Sequence, residues 1–287
     1  MTVLDVVVLA CVQGLAELLP VSSSAHVIVA ERLLGLDPAS PPLTLLLVML
    51  HTGTMFAVIV YFWRQWRSAY FASAVAFKRI ALRAAVATAL TAAVGLALVK
   101  LIEKTLLRGV PHAQIENLFG HLEFIAPALA AAGLLILWAG RRAAGEPAGA
   151  RTGPELSLPQ AAIIGVVQGV CLPFRGFSRS GATISTGMLL GVGKARAERF
   201  SFALAVVLTP PVVAREILRL LHAPGVDRAA LMPVASLSLL GALLAFLAGL
   251  VALRWLSRWL ESGRWYLFGI YCLVAAVAVT LIHHNGG

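Results

Sequence analysis

Long apolar runs alternate with short polar segments along the whole chain. Six runs are free of charged residues, the first interrupted only by His51, and they cover residues 43–63, 84–99, 124–140, 200–214, 231–253 and 265–282. Several reach the roughly 20 residues that a helix needs to cross a bilayer core, and the shorter ones can extend into their flanks. A helix of a soluble bundle would instead show a polar face at every turn. The pattern predicts an all-α polytopic membrane protein with six transmembrane helices.

Two further apolar segments are short or interrupted. Residues 6–19 already contain Glu17 and stop at Pro20 and three serines. Residues 158–174 are followed by the polar stretch RGFSRSG and then by another short apolar piece. Such segments are typical of hairpins that enter and leave a membrane on the same side. We therefore expect two re-entrant helical hairpins, at residues 6–36 and 158–192.

The two hairpin segments resemble each other. Val-Gln-Gly precedes a proline and a serine cluster in both, at Gln13 and again 155 residues later at Gln168. Three predicted spans separate the hairpins, and three crossings reverse the side of entry. The chain is thus predicted to be a single membrane domain with an inverted-topology repeat, whose broken segments form the binding site. Repeat 1 covers about residues 1–140 and repeat 2 about residues 158–287; a chance likeness of two Gly/Ser-rich breaks is the alternative.

Composition and charge agree with a membrane location. Hydrophobic residues make up 60% of the chain and charged residues only 13%, too little polar surface to cover a soluble protein of this size. The net charge of +10 comes from basic loop residues, which membrane orientation explains better than nucleic acid binding. They concentrate at residues 64–83, 141–151, 194–199 and 254–264. The positive-inside rule makes these loops cytoplasmic, so both termini and the mouth of the first hairpin face outward.

The deepest ionisable side chains are Glu17 and Arg179. A charged group inside the hydrocarbon layer is costly and is a functional candidate by default. A purely structural ion pair between the two is the alternative interpretation.

The polar breaks have the chemistry of a phosphate site. Phosphate is bound by a cation, by hydroxyl and backbone donors, and by a helix N-terminus. The second break supplies these through Ser178, Arg179, Ser180 and Thr183, with Gly176 and Gly181 allowing close backbone approach. Ser22 and its neighbouring serines do likewise in the first break. Any one of the serines can instead be a helix N-cap.

The first break also offers a nucleophile with a base. Ser23 and His26 are three residues apart and share a face of one helix, with Glu17 on the helix before the bend. A hydroxyl nucleophile needs a base, and Glu17 and His26 are the candidates nearby. Attack by Ser23 and attack by water activated by Glu17 both remain open.

On these motifs the chain resembles the bacterial undecaprenyl pyrophosphate phosphatase family, which is associated with bacitracin resistance. Its first motif corresponds here to Gln13, Glu17, the following Leu-Pro-Val-Ser-Ser and His26. Its second motif, Pro-Gly-x-Ser-Arg-Ser-x-x-Thr, corresponds to RGFSRSGAT at residues 175–183. The resemblance extends to Gly53 and to Phe-Ser-Phe at residues 200–202.

The resemblance implies hydrolysis of the carrier lipid's pyrophosphate at the outer face of the bacterial inner membrane, assisted by a divalent cation, Mg²⁺ or Ca²⁺. The site it implies consists of Glu17, Ser23, His26, Ser178, Arg179 and Thr183, with Gln13 beside them. Two positions depart from the family pattern. Gln13 replaces a frequent Glu, which leaves Glu17 as the candidate metal ligand and puts cation dependence in doubt. Arg175 replaces a Pro and adds a cation beside the pyrophosphate.

The rival function is transport. Inverted repeats with broken helices often move a substrate through the membrane, so a lipid-phosphate flippase is the alternative. The combination of Glu17, Ser23 and His26 favours the enzyme, because transport of an anion requires no nucleophile. The expected partners are a polyprenyl pyrophosphate and the bilayer, without nucleic acid; the oligomeric state is open, a homodimer included.

Overall fold

The computed structural model describes residues 1–37, 40–106, 121–144, 156–222 and 228–285. Within these ranges the regular structure is entirely helical. The helices described there are α1 (Val3–Leu18), α2 (Ser23–Leu33), α3 (Pro41–Ala69), α4 (Ala74–Leu106), α5 (Leu122–Ala144), α6 (Leu158–Cys171), α7 (Arg179–Leu189), α8 (Lys194–His222), α9 (Arg228–Glu261) and α10 (Tyr266–Asn285). Parts of the predictions lie outside the described residues, namely 38–39 and 107–120 of the first repeat, 145–151 of the second basic loop, and 223–227 and 286–287 of the second repeat.

Six of the described helices are long and apolar enough to cross a membrane, namely α3, α4, α5, α8, α9 and α10. Within the described residues, the prediction of an all-α protein with six helices that are long and apolar enough to span a membrane is confirmed. Most of these helices run well beyond the apolar runs that predicted them, because a nucleated helix propagates easily into its polar flanks.

Two pairs of short helices precede the two sets of long ones. The pairs are α1 with α2 and α6 with α7, and each of these four helices has at most 16 residues. The first helix of each pair begins with a capping box, formed by Thr2 with Asp5 in α1 and by Ser157 with Gln160 in α6. Side chain and backbone exchange hydrogen bonds there, which fixes where each short helix starts.

The described chain divides into two compact units. The first consists of Met1–Leu19, Ser23–Gln65 and Ala205–Leu256; the second consists of Pro20–Ser22, Trp66–Leu204 and Ser257–Gly287. The bend between α1 and α2 therefore belongs to the second unit, together with all of α6 and α7.

In the first unit, α1 and α3 both pack closely on α9. A Cβ atom added at Gly14 of α1 would lie 2.7 Å from the backbone oxygen of Ala245 and 2.6 Å from the Cβ of Ala248. A Cβ added at Gly53 of α3 would overlap the backbone oxygen of Ala242. Small residues thus let three helix backbones approach, as is common in membrane bundles. The buried apolar cluster beside these contacts contains Val6, Leu9, Ala10, Val27, Ala30, Leu43, Leu46, Leu50 and Ala245.

In the second unit, α6 packs on α4 in a similar manner. A Cβ atom added at Gly169 would lie 2.9 Å from the backbone oxygen of Thr91 and 2.8 Å from the Cβ of Val94. The buried hydroxyl of Thr91 shares its proton between the carbonyl oxygens of Ala87 at 2.8 Å and Gly165 at 2.9 Å, and it accepts from Gln168 Nε2 at 3.1 Å. The backbones of α5 and α10 also meet through glycines of the same unit.

Candidate active site

The first group of site residues surrounds Glu17, at the end of α1. Ser23 Oγ, at the start of α2, lies 2.6 Å from Glu17 Oε2 and donates its proton to it. Gln13 Nε2, one turn earlier on α1, donates to the same oxygen at 3.2 Å. This O–H···O distance lies at the short end of the usual range for hydrogen bonds between oxygens. A hydroxyl aimed at a carboxylate has the geometry of a nucleophile with its base.

His51 completes this group, although the sequence singled it out only as a polar interruption of the first span. Its Nε2 lies 3.9 Å from Glu17 Oε2. Its Nδ1 lies 2.9 Å from the Leu47 carbonyl oxygen, one turn earlier on α3. The available signal was the presence of an imidazole in an otherwise apolar run, but nothing in the spacing connected it with Glu17. His26 lies on α2, half-buried, one turn after Ser23.

The bend of the first pair has an unusual backbone. Ser22 has φ 68°, and it is the sole non-glycine residue with a positive φ among the described residues. It is also buried, with 5% of its surface exposed. The left-handed conformation costs an L-residue about 1–2 kcal/mol, and such strain clusters at functional sites. This conformation turns the chain sharply, so that α2 starts at Ser23 immediately after the bend.

The second group of site residues lies at the start of α7. Arg179 is the first residue of this helix, and Ser178 is its N-cap, with Oγ accepting from the Gly181 backbone N–H at 3.2 Å. The N-cap interpretation is thus correct for Ser178, yet a hydroxyl that accepts one bond still has its own proton to donate. Arg179 is half-buried and Arg175 is exposed.

Thr183 connects α7 to α8. Its hydroxyl donates to the Arg179 carbonyl at 2.8 Å, and the Ser201 hydroxyl lies 2.6 Å away. Either of the two hydroxyls can be the donor in this hydrogen bond. Ser180, Thr183 and Ser201 are all buried. Sequence reasoning noted the segment around Ser201 but gave that serine no role.

Gly176 and Gly181 make close approaches to α5. Gly176 has φ 102°, and a Cβ there would lie 2.5 Å from the Ile125 carbonyl oxygen. A Cβ at Gly181 would lie 2.8 Å from the Ile136 side chain. Helix packing therefore explains why glycine occupies both positions. The expectation from the sequence was that these glycines let the backbone approach phosphate closely.

Comparison with known proteins covers both groups of residues. The family described as bacitracin resistance protein BacA matches residues 6–278. The chain belongs to this family. It is 55% identical to undecaprenyl-diphosphatase 2 of Acinetobacter baylyi over 98% of each chain. It is 31% identical to the undecaprenyl-diphosphatase of Parabacteroides distasonis over 97% of this chain and 98% of the relative, and 36% identical to that of Desulfosudis oleivorans over 93% and 94%. The family predicted from the two motifs is confirmed.

The donor set of this BacA family member does not fit a divalent cation held by protein ligands alone. Among the described residues no three His, Cys, Asp or Glu side chains are grouped so as to hold a metal ion. Beside Glu17, Gln13 presents its amide nitrogen to the carboxylate, and an amide N–H group is not a metal ligand. Mg²⁺ often binds instead through one or two carboxylates plus substrate phosphates. The predicted cation dependence stays a prediction.

Proposed function

We propose that this protein hydrolyses undecaprenyl pyrophosphate to the monophosphate and inorganic phosphate, which recycles the carrier lipid of the cell envelope. The observation that carries the proposal is the 2.6 Å contact between Ser23 Oγ and Glu17 Oε2. The named activity of the Acinetobacter baylyi relative, 55% identical along almost the entire chain, supports the choice of substrate.

In the proposed reaction, Ser23 Oγ attacks the terminal phosphorus while Glu17 takes its proton. The bond between that phosphorus and the bridging oxygen breaks, and the bridging oxygen of the leaving polyprenyl monophosphate takes the proton from Glu17. Glu17, again a carboxylate, then takes a proton from the water that attacks the phosphoserine. It returns this proton to Ser23 Oγ as inorganic phosphate leaves, which restores the Ser23 hydroxyl. Gln13 holds the carboxylate in place through its amide donor.

Arg179 and the N-terminus of α7 bind the phosphates in this proposal. A guanidinium can grip two phosphate oxygens and stabilise charge as the bond breaks, and helix N-termini bind anions. Ser22, Ser178 and Ser180 add hydroxyl donors, and Arg175 adds charge. Both groups of residues lie within residues 6–278, which the family model matches, and this supports assigning both to one reaction.

We also propose that the short helix pairs are re-entrant hairpins of an inverted-topology repeat. Support comes from corresponding contacts in the two halves. Gly14 of α1 meets Ala245 of α9, whereas its counterpart Gly169 of α6 meets Thr91 of α4. Likewise Leu18 lies against Gly249 of α9, and Leu172 lies against Gly95 of α4. Both α4 and α9 are the second long helix after their hairpin, so each hairpin packs on the corresponding span of the other half.

The basic loops orient this arrangement in the bacterial inner membrane. They lie after the first and third spans of repeat 1, and after the hairpin and the second span of repeat 2. With these loops in the cytoplasm, both termini and the first hairpin's mouth face outward, towards substrate in the outer leaflet.

A divalent cation would bind together with the pyrophosphate group of the substrate.

The test reconstitutes the purified protein in liposomes that contain undecaprenyl pyrophosphate. We expect wild type to release inorganic phosphate and the Glu17→Gln variant to release at most a few per cent as much. Movement of intact lipid between leaflets without phosphate release would overturn the proposal and favour the flippase.

A further inference from the structure

His51 is placed beside Glu17 by close packing of three helices. Gly14 brings α1 against α9 at Ala245, and Gly53 brings α3 against α9 at Ala242, one helical turn away. His51 lies two residues before Gly53 on α3. The contact between His51 and Glu17 therefore rests on backbone approaches that leave little room for either helix to shift.

The orientation of the His51 ring is set by its own helix. A carbonyl oxygen can only accept, so Nδ1 must donate its proton to Leu47 at 2.9 Å. The hydrogen bond of one ring nitrogen fixes the role of the other. Nε2 is consequently the nitrogen that faces Glu17 Oε2, at 3.9 Å.

The oxygen that His51 faces is the one that Ser23 uses. Glu17 Oε2 accepts from Ser23 Oγ and from Gln13 Nε2, and His51 Nε2 approaches it from a third helix. The Glu17 side chain is 18% exposed and that of His51 is 43% exposed. When the ring is an imidazolium, with protons on both nitrogens, Nε2–H attracts the carboxylate and restrains its rotation, which keeps Oε2 directed at the serine hydroxyl.

We propose that His51 is a positioning residue, which holds Glu17 Oε2 in line with Ser23 Oγ for proton transfer. The proposal rests on the proposed function and adds to it a residue from α3. It predicts an effect on turnover rather than on substrate binding, because His51 acts through Glu17 and not on the phosphates.

The test compares His51→Ala with His51→Gln in steady-state phosphate release. Loss of the ion contact lets the Glu17 carboxylate turn away from Ser23, and misplacing a catalytic group by about 1 Å can cost about a hundredfold in rate. We therefore expect kcat to fall by about tenfold to a hundredfold in His51→Ala, with KM within about threefold of wild type. Gln can present an amide N–H near the position of Nε2, so His51→Gln should recover most of kcat. In a Glu17→Gln background, His51→Ala should have no further effect.

His222→Ala is the matched control, because the ring of His222 makes the same bond to the carbonyl four residues earlier, on α8. This variant should retain wild-type kcat. An unchanged kcat in His51→Ala would overturn the positioning role, as would an effect confined to KM or equal losses in the Ala and Gln variants.

A second measurement tests the contact independently of activity. The apparent melting temperatures in detergent of wild type, His51→Ala, Glu17→Gln and the double variant form a cycle. We expect the double variant to be less destabilised than the sum of the single variants. Additive shifts in melting temperature would overturn the positioning role, whether or not the wild-type protein releases phosphate. Absence of phosphate release by wild type would instead refute the proposed function.

Discussion

At the residue scale, one carboxylate oxygen, Glu17 Oε2, organises the first half of the site. The sequence predicted its association with Ser23, because the two residues are only six positions apart and a tight bend brings the neighbouring helix ends together. It did not predict His51, because that residue reaches Glu17 only through the packing of α1 and α3 on α9. Contacts between residues close in the sequence could thus be predicted, whereas contacts made by helix packing could not.

Arg179→Lys tests what the cation at the start of α7 does. Lysine keeps the charge but loses the planar fork that binds two phosphate oxygens at once. We expect kcat/KM for undecaprenyl pyrophosphate to fall by at least about tenfold, as for the loss of a charged hydrogen bond. Arg175→Lys, at an exposed position four residues before Arg179, is the control and should change kcat/KM little. Near-wild-type activity of Arg179→Lys would mean that the arginine acts only as a diffuse charge.

At the element scale, apolar runs predicted every described long helix but not where each one ends. The run at residues 200–214, for example, belongs to α8, which continues to Lys194 and His222. Polar flanking residues are compatible with a helix, so composition marks the membrane core better than the helix boundary. The partner of each short helix was also beyond prediction, because a glycine in the sequence does not indicate which backbone it approaches.

Gly14→Ala and Gly169→Ala test the two short helices in parallel. Each added methyl group would meet a backbone oxygen and a Cβ atom closer than 3 Å, so each substitution should force its short helix away from its partner. Overpacking of this kind typically costs about 1–3 kcal/mol. Melting temperatures in detergent should fall in both variants by similar amounts.

Gly35→Ala is the control for this comparison. A Cβ there meets nothing within 4 Å, so only its positive φ contributes strain. A loss in one hairpin variant but not in the other would contradict the corresponding packing of the two halves.

At the scale of the whole molecule, the same order of helices occurs twice along the chain. In each half a pair of short helices is followed by three long helices. Each first short helix packs through a glycine on the second long helix of the other half. The order of short and long helices was predicted from the paired Gln-Gly segments and the number of spans, and the inverted-topology repeat stays a proposal. The exchange of packing partners between halves was not, because it is a property of the folded chain.

Accessibility of single cysteines tests the proposed orientation. In a Cys11→Ser background, which retains the buried Cys171 and Cys272, Leu33→Cys should react with a membrane-impermeant maleimide in intact spheroplasts. Ser73→Cys and Ser262→Cys, one from each half and both exposed, should react only after lysis. The opposite pattern would reverse the orientation and place the first hairpin's mouth in the cytoplasm.

The central claim is that Ser23 is the nucleophile and Glu17 its base. The most direct measurement is a rapid chemical quench of a single turnover with substrate labelled at the terminal phosphorus, followed by peptide mapping. We predict transient label on Ser23 in the wild-type enzyme and none in Ser23→Ala, whose turnover falls by orders of magnitude while substrate affinity is kept by Arg179 and the α7 N-terminus. An enzyme that carries no label at any time, together with a fully active Ser23→Ala variant, would contradict the account and assign the attack to water.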